Sequence, residues 1–270
     1  MKDILFQNVS FSYPDSGSVL EHIDLKINGG EQIALIGHNG AGKSTLAKLI
    51  NRLLSPTDGN VWIGDMNTKE YTAAKIAHHV GYVFQNPDDQ IFHPSVEKEV
   101  GFCRKIVRQK GQNVRAQIDA ALHITGMEKY RTKNPFELPL SLRRFVAMAS
   151  VLAMDPDIFI FDEPTAGQDL AGRNTLINIF RDLKEKKKTV IVISHDMEFV
   201  FENFDKFIVM ANKGILFFGT RKEAFQTPQL FKKAGLEPPG ILRLCRHLGI
   251  EAADVETAAR QIYDKWVGLP

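Results

Sequence analysis

The stretch Gly37-His38-Asn39-Gly40-Ala41-Gly42-Lys43-Ser44-Thr45 limits the fold more than any other part of the chain. It fits the pattern G-x-x-x-x-G-K-[ST] and has the flanks that the pattern needs. Before it, Gln32-Ile33-Ala34-Leu35-Ile36 is a compact apolar run suited to a buried strand. After it, helical character runs from about Gly42 to Leu54 and stops before Pro56. In such a strand–turn–helix, glycines let the backbone curl until successive N–H groups point inward, and the helix N-terminus adds positive potential. The turn is therefore expected to cradle phosphate, with Lys43 reaching the β- and γ-phosphates of a nucleotide and Ser44 offering a hydroxyl to Mg²⁺. His38 sits at a free position of the pattern and needs no catalytic role.

A phosphate turn of this kind needs further buried strands beside it. Ile158-Phe159-Ile160-Phe161 and Val190-Ile191-Val192-Ile193 are all-apolar runs, as expected where helices cover both faces of a sheet, and a helix from about Arg173 to Lys187 lies between them. Val80 to Phe84 reads as another buried strand. The first of these runs ends in Asp162-Glu163, which places Asp162 at the carboxyl end of its strand, where it can hold Mg²⁺ through water. Glu163 follows at once and can poise a water for attack on the γ-phosphate. The first 30 residues alternate with period two (Ile4, Phe6, Val9, Phe11, Tyr13, then Val19 to Ile27) and read as antiparallel strands broken at Pro14-Asp15-Ser16-Gly17. From about 94 to 154 the pattern is helical. Lys206 to Phe218 reads as a hairpin around Asn212-Lys213-Gly214.

After Thr227-Pro228 the character changes. Ile241, Leu244, Cys245 and Leu248 share a helical face closed by Gly249. Asp254 is placed to cap a last helix with Val255, Ala258, Ile262 and Trp266 on one stripe. This helical appendix, 228–270, packs back on its own domain or meets a second subunit; the sequence leaves both open.

With 270 residues, 44% hydrophobic and 24% charged, the chain can bury a large core. The 34 Lys+Arg against 32 Asp+Glu leave a net charge of +2, without the basic excess that would point to nucleic acid. Cys103 and Cys245 lie too far apart for a metal motif and fit a reducing compartment. The N-terminal Met1-Lys2-Asp3-Ile4 lacks the build of a signal peptide, and no apolar run reaches roughly 18 residues. Work at a membrane is therefore expected to run through partners. His78-His79 reads as a surface pair.

These residues resemble the nucleotide-binding subunit of ABC transporters over about residues 3 to 225. The resemblance implies an α/β P-loop NTPase of ABC ATPase type. Its mostly parallel sheet would carry an antiparallel β subdomain, an inserted helical subdomain at about 94–154 within a domain of residues 1–227, and the C-terminal extension. It implies roles as well: Tyr13 stacks on adenine, and Gln85 links Mg²⁺ and the attacking water to a transmembrane partner. In Asp162-Glu163-Pro164-Thr165-Ala166-Gly167-Gln168-Asp169, Asp169 would reach across a dimer, while Gln168 stands where Leu is usual. His195, in Val192-Ile193-Ser194-His195-Asp196, would contact the γ-phosphate. Phe84-Gln85-Asn86-Pro87-Asp88-Asp89-Gln90-Ile91-Phe92, Ser95-Val96-Glu97, Gly126-Met127 and Val151-Leu152-Ala153-Met154-Asp155-Pro156 are similar to energy-coupling factor (ECF) transporters.

One family motif is broken. Where the family has Leu-Ser-Gly-Gly-Gln, the ungapped alignment gives Leu138-Pro139-Leu140-Ser141-Leu142. In the family the serine and glycines cap a helix and donate to a γ-phosphate held by the opposite subunit. A gapped alignment would instead bring Ser141 to the serine's place. The resemblance implies a peripheral ATPase on the cytoplasmic side of the cell membrane, using ATP and Mg²⁺ to power an ECF-type importer of vitamins or trace metals. Its partners would be a second related ATPase, a transmembrane coupling protein and a substrate-binding membrane protein. Alternatives are another ABC importer, a soluble ABC ATPase acting on DNA, or a subunit that only binds nucleotide.

Overall fold

The computed structural model describes residues 1–15, 17–106, 113–227, 229–250 and 255–266. Strands β1 (Ile4–Tyr13) and β2 (Gly17–Ile27) pair antiparallel, as their alternation requires. Ile4, Phe6, Val9 and Phe11 all point inward because the register slips after Phe6, where Asn8 takes a φ of +46°. Next come β3 (Gln32–Gly37), α1 (Lys43–Ile50), β4 (Asp58–Ile63), β5 (Met66–Asn67), α2 (Ala73–Ile76) and β6 (Val80–Val83). Three helices follow, α3 (Val96–Ile106), α4 (Val114–Ile124) and α5 (Leu140–Met154), in the stretch read as helical. α5 is buried from Phe145 to Val151 and takes both α3 and α4 against it. The remaining elements of the nucleotide-turn sheet are β7 (Ile158–Asp162), α6 (Leu170–Glu185), β8 (Thr189–Ile193), α7 (Met197–Asn203), β9 (Lys206–Ala211) and β10 (Gly214–Thr220).

Two sheets result. One is β2-β1-β4-β5; the other is β10-β9-β3-β8-β7-β6, parallel from β9 to β6 with β10 antiparallel at its edge. The period-two geometry of a strand divides the buried runs between two cores. Ile158 and Ile160 of β7 face α1 and the antiparallel sheet, together with Ile33, Leu35, Ile191 and Ile193. Phe159 and Phe161 face the other way and pack with α5, α6 and α7; Phe161 meets Phe180 edge-on at 5.2 Å.

Several boundaries differ from the sequence reading. α1 ends at Ile50 instead of Leu54, because Arg52 enters the left-handed region at φ +65° and its Nε donates to the Thr68 carbonyl at 2.7 Å. β6 stops at Val83, so Gln85 lies beyond the strand. Strands β4 and β5, which no alternation announced, complete the antiparallel sheet. The 206–218 hairpin turns through Asn212 and Lys213, with φ of +49° and +64°.

After β10 the chain forms α8 (Arg221–Phe225), α9 (Gln229–Lys233), α10 (Gly240–Leu248) and α11 (Val255–Trp266). α10 and α11 share a small cluster around buried Cys245 and Ala258. Leu244, placed on the apolar face by its spacing, is 46% exposed. Asp254, expected to cap α11, lies outside the described residues, as does Pro228.

Candidate active site

β3 delivers Gly37 to the carboxyl edge of the parallel sheet, and the turn to α1 passes close to two neighbours. A β-carbon on Gly37 (φ +157°) would stand 2.4 Å from the Met210 carbonyl oxygen, and one on Gly42 (φ +95°) 2.7 Å from Leu20 Cδ2. Only glycine fits either place. α1 begins with no side-chain cap and no acidic residue in its first turn. Its leading N–H groups and its dipole therefore favour an external anion. Lys43 is buried, and its Nζ donates to the carbonyls of Gly37 at 2.7 Å and His38 at 3.0 Å. Burial pushes the Lys43 pKa below its usual value, and the nearby Glu163 and Asp162 carboxylates oppose that shift.

This turn forms one side of a cavity of about 680 Å³. Asp162 enters it from the end of β7, buried, with Oδ2 accepting a 2.7 Å hydrogen bond from the Tyr82 hydroxyl. Burial and the adjacent Asp162 push the Tyr82 hydroxyl far above the usual phenol range. Glu163 leaves the strand at φ +51°, an uncommon conformation for a residue with a β-carbon, and its N–H is held by the Ile193 carbonyl at 2.9 Å. Its carboxylate is 7% exposed as a residue. Oε2 lies 2.9 Å from His195 Nδ1, close enough for an ion pair, yet the alignment is too poor for a hydrogen bond.

The rim brings together residues far apart in sequence. Tyr13, Gln85 and His195 line the same cavity as Gly37, His38, Asn39, Gly40, Gly42, Lys43, Ser44 and Thr45. Tyr13 is placed by an edge-on contact with Phe11 at 4.8 Å, its hydroxyl 3.4 Å from Thr45 Oγ1. Ala41, named with the turn, is the exception: its side chain is buried in the core behind it. Val19, Ile193, Gly235 and Leu236 also line the cavity and were not anticipated. Asp169, expected to reach across a dimer, caps α6, its Oδ1 accepting from Gly172 N–H at 2.8 Å. Of the His78-His79 pair, His79 contacts Asp157 at 3.0 Å.

Comparison with known proteins decides the class of this site. The ABC transporter family model matches residues 20–166. The chain belongs to the ABC transporter ATPases. Its ECF character rests on relatives such as the energy-coupling factor transporter ATP-binding protein EcfA1 of Caldanaerobacter subterraneus subsp. tengcongensis, 40% identical over 255 residues, 92% of each chain. A putative ABC transporter ATP-binding protein of Methanosarcina mazei is 37% identical over 94% of this chain, but the chain spans only 43% of that relative's length. Among solved structures, CbiO1 of Clostridium perfringens, described as part of the ABC transporter complex CbiONQ, superposes with a TM-score of 0.75 at 30% identity. It covers 90% of this chain and 98% of its own.

In this ABC ATPase the broken motif has a definite geometry. Pro139 is the N-cap of α5, with no side-chain cap, and Leu140 and Ser141 are the first two helical residues. The Pro139 carbonyl accepts from Leu142 and Arg143 N–H, both at 3.0 Å. Ser141 therefore does not take the capping place that the gapped alignment would give it. Leu140 is 43% exposed at the helix start. Arg143 forks onto Asp88 at 2.8 and 2.9 Å, so its charge is spent within the chain. Arg144 is partly desolvated, which pushes its pKa down against the attraction of Glu163. Gln168, the other departure from the family, touches the first: its Nε2 donates to the Ser141 carbonyl at 3.1 Å.

Proposed function

We propose that the chain hydrolyses ATP as the peripheral ATPase of an energy-coupling factor importer for a vitamin or a trace metal, on the cytoplasmic side of the cell membrane. The observation that carries hydrolysis is Glu163, a buried carboxylate at a rare backbone angle. It lines the cavity that holds the Lys43 ammonium, and its Oε2 has no aligned hydrogen bond. In this reading the turn from Gly37 to Thr45 binds the phosphates, Tyr13 stacks on adenine, and Glu163 takes the proton of a water attacking the γ-phosphate. His195 holds the γ-phosphate, with its Nδ1 standing 2.9 Å from Glu163 Oε2.

The Asp162 carboxylate, the Ser44 hydroxyl and the Gln85 amide form an all-oxygen set on one cavity, which suits Mg²⁺. When bound, Mg²⁺ offsets charge on the β- and γ-phosphate oxygens. Tyr82 positions Asp162 for that task through the 2.7 Å bond.

Features of the surface support the proposed partners. Head-to-tail pairing with a second ATPase would set the start of α5 against the other subunit's nucleotide, and Leu140 and Pro139 supply no donor of the family kind there. A heterodimer with a related subunit whose motif is intact resolves this, and residues 228–270 form its second contact. The segment Gln85 to Glu97 starts at the site and carries Phe92, 75% exposed, with Glu99 Oε2 fastening the Phe92 and His93 N–H groups at 2.9 and 2.8 Å. It receives a helix of the transmembrane coupling protein, which in turn holds the substrate-binding membrane protein. Among the described residues no helix is long and apolar enough to cross a membrane.

The test is Glu163→Gln in the assembled complex. ATP binding should persist and turnover should fall by about 10²-fold or more, the scale of a lost general base. Equal ATPase rates in variant and wild type would refute the role of Glu163.

A further inference from the structure

The cavity has a wall that neither the phosphate turn nor the acidic strand end supplies. Gly235 and Leu236, which follow α9, line it. α9 itself is seated in the main core: Leu230, Phe231 and Ala234 are at most 3% exposed, and the Phe231 ring lies 5.7 Å from that of Phe201. The helix closes in a glycine cap, with Leu236 N–H donating to the Phe231 carbonyl at 2.8 Å and Gly235 N–H to that of Lys232 at 3.2 Å. Gly235 adopts φ +64° and faces His38: a β-carbon there would stand 3.5 Å from His38 Cβ and 3.9 Å from the ring.

His38 belongs to the phosphate turn, and its carbonyl accepts from Lys43 Nζ. On the far side, Pro239 is buried and Gly240 N–H donates to Glu198 Oε1 at 2.6 Å, which ties the start of α10 to α7. The stretch from 229 to 240 is thus fastened at both ends, with its middle beside the phosphate turn.

We infer that Gly235 and Leu236 are part of the nucleotide site, bracing His38 and closing the flank of the cavity beside the phosphates. This rests on the proposed binding of ATP in that cavity. It gives the segment beyond 228 a role in binding nucleotide as well as in contacting a second subunit. It also joins the α10–α11 pair to the occupancy of the site through the stretch 237–240.

The experiment measures binding of a fluorescent ATP analogue with Mg²⁺ to the full chain, alongside hydrogen exchange with and without ATP. Leu236→Ala removes the apolar wall. Gly235→Asn keeps the left-handed turn, which asparagine tolerates, and pushes a side chain at His38. Each should weaken binding about five- to tenfold, the scale of one lost or obstructed apolar contact. Gly235→Asn should leave the thermal midpoint of the nucleotide-free chain little changed, whereas Leu236→Ala, which also gives up contact with the main core, should lower it. In the wild type, ATP should slow exchange of the amides from 234 to 237, a readout that needs no variant to fold. Wild-type affinity in both variants, with exchange at 234–237 indifferent to ATP, would overturn the inference. Lys43→Ala separates the two levels: if it too binds like wild type, ATP does not occupy this cavity and the underlying reading falls first.

Discussion

Pro139→Ser, Leu140→Gly, Ser141→Gly and Leu142→Gln together would give the start of α5 the sequence Leu-Ser-Gly-Gly-Gln. The structure lets the effect be divided into stability and rate. A serine at position 139 supplies the side-chain cap that α5 lacks, a gain of about 1 kcal/mol. The two glycines enter the first helical turn and each cost up to about 1 kcal/mol. Leu140 is exposed, so its removal forfeits little buried surface. Leu142 packs partly buried against the main core, so its exchange for Gln costs about 1–2 kcal/mol more. The sum is a loss of about 2–3 kcal/mol, which the fold should tolerate. The rate should respond far more. One well-placed donor to developing charge is worth roughly 10²–10³ in rate, and the repair restores an N–H at position 139 and removes the Leu140 side chain from the helix start. The assay is steady-state ATP turnover of the purified chain, wild type against repaired, at concentrations where ATP drives self-association. The wild type should be slow and the repaired chain faster by at least about 10². Adding Glu163→Gln to the repaired chain should abolish the gain. If the repaired chain folds, binds ATP and self-associates yet turns over no faster, the assignment of this helix start to an opposing nucleotide is wrong. A wild-type chain that alone matches the rate of the assembled complex would refute the reasoning equally.

Three further outcomes are expected. Burial holds the Lys43 pKa below 10.5 in the native chain. Between that lowered value and 10.5 the unfolded chain binds more protons, so wild-type stability should rise with pH relative to Lys43→Met; a constant difference in urea unfolding from neutral pH upward would contradict this. Tyr82→Phe removes the donor to buried Asp162 and should cost about 1–3 kcal/mol, while weakening the dependence of ATP binding on Mg²⁺; unchanged unfolding free energy and metal dependence would dismiss Tyr82 as a positioning residue. Asp89→Cys should cross-link to the transmembrane coupling protein in the assembled complex, and absence of protection anywhere from Gln85 to Glu97 on assembly would remove that segment from the interface.

What could be read without the structure was local. Gly37 to Thr45 announce their own backbone conformation, and the apolar runs of β3, β7 and β8 are buried on both faces, so period and motif agreed. Asp162 and Glu163 followed because a strand end has a direction. β4 escaped because Val61 and Ile63 alone face inward, and its existence depends on pairing with β1. Tyr82 was visible as a strand residue, but its bond to Asp162 depends on β6 lying beside β7 in a register that sets Tyr82 against Ile160. Gly235 and Leu236 reach the cavity only because α9 docks on Phe201, a contact between segments with no shared pattern. The extra length assigned to α1 failed for a tertiary reason, the hold of Thr68 on Arg52.

β7 is the common wall of both hydrophobic cores, and Asp162 and Glu163 are its last residue and the one after it. A perturbation in either core therefore reaches the acidic pair through one backbone, with no softer layer between to absorb it. The site has no private foundation: the packing that holds the acidic pair is the packing of both cores. Catalytic competence therefore depends on the packing of both cores, whereas the α10–α11 pair rests on its own few residues around Cys245 and Ala258 and is tied to α7 at Gly240.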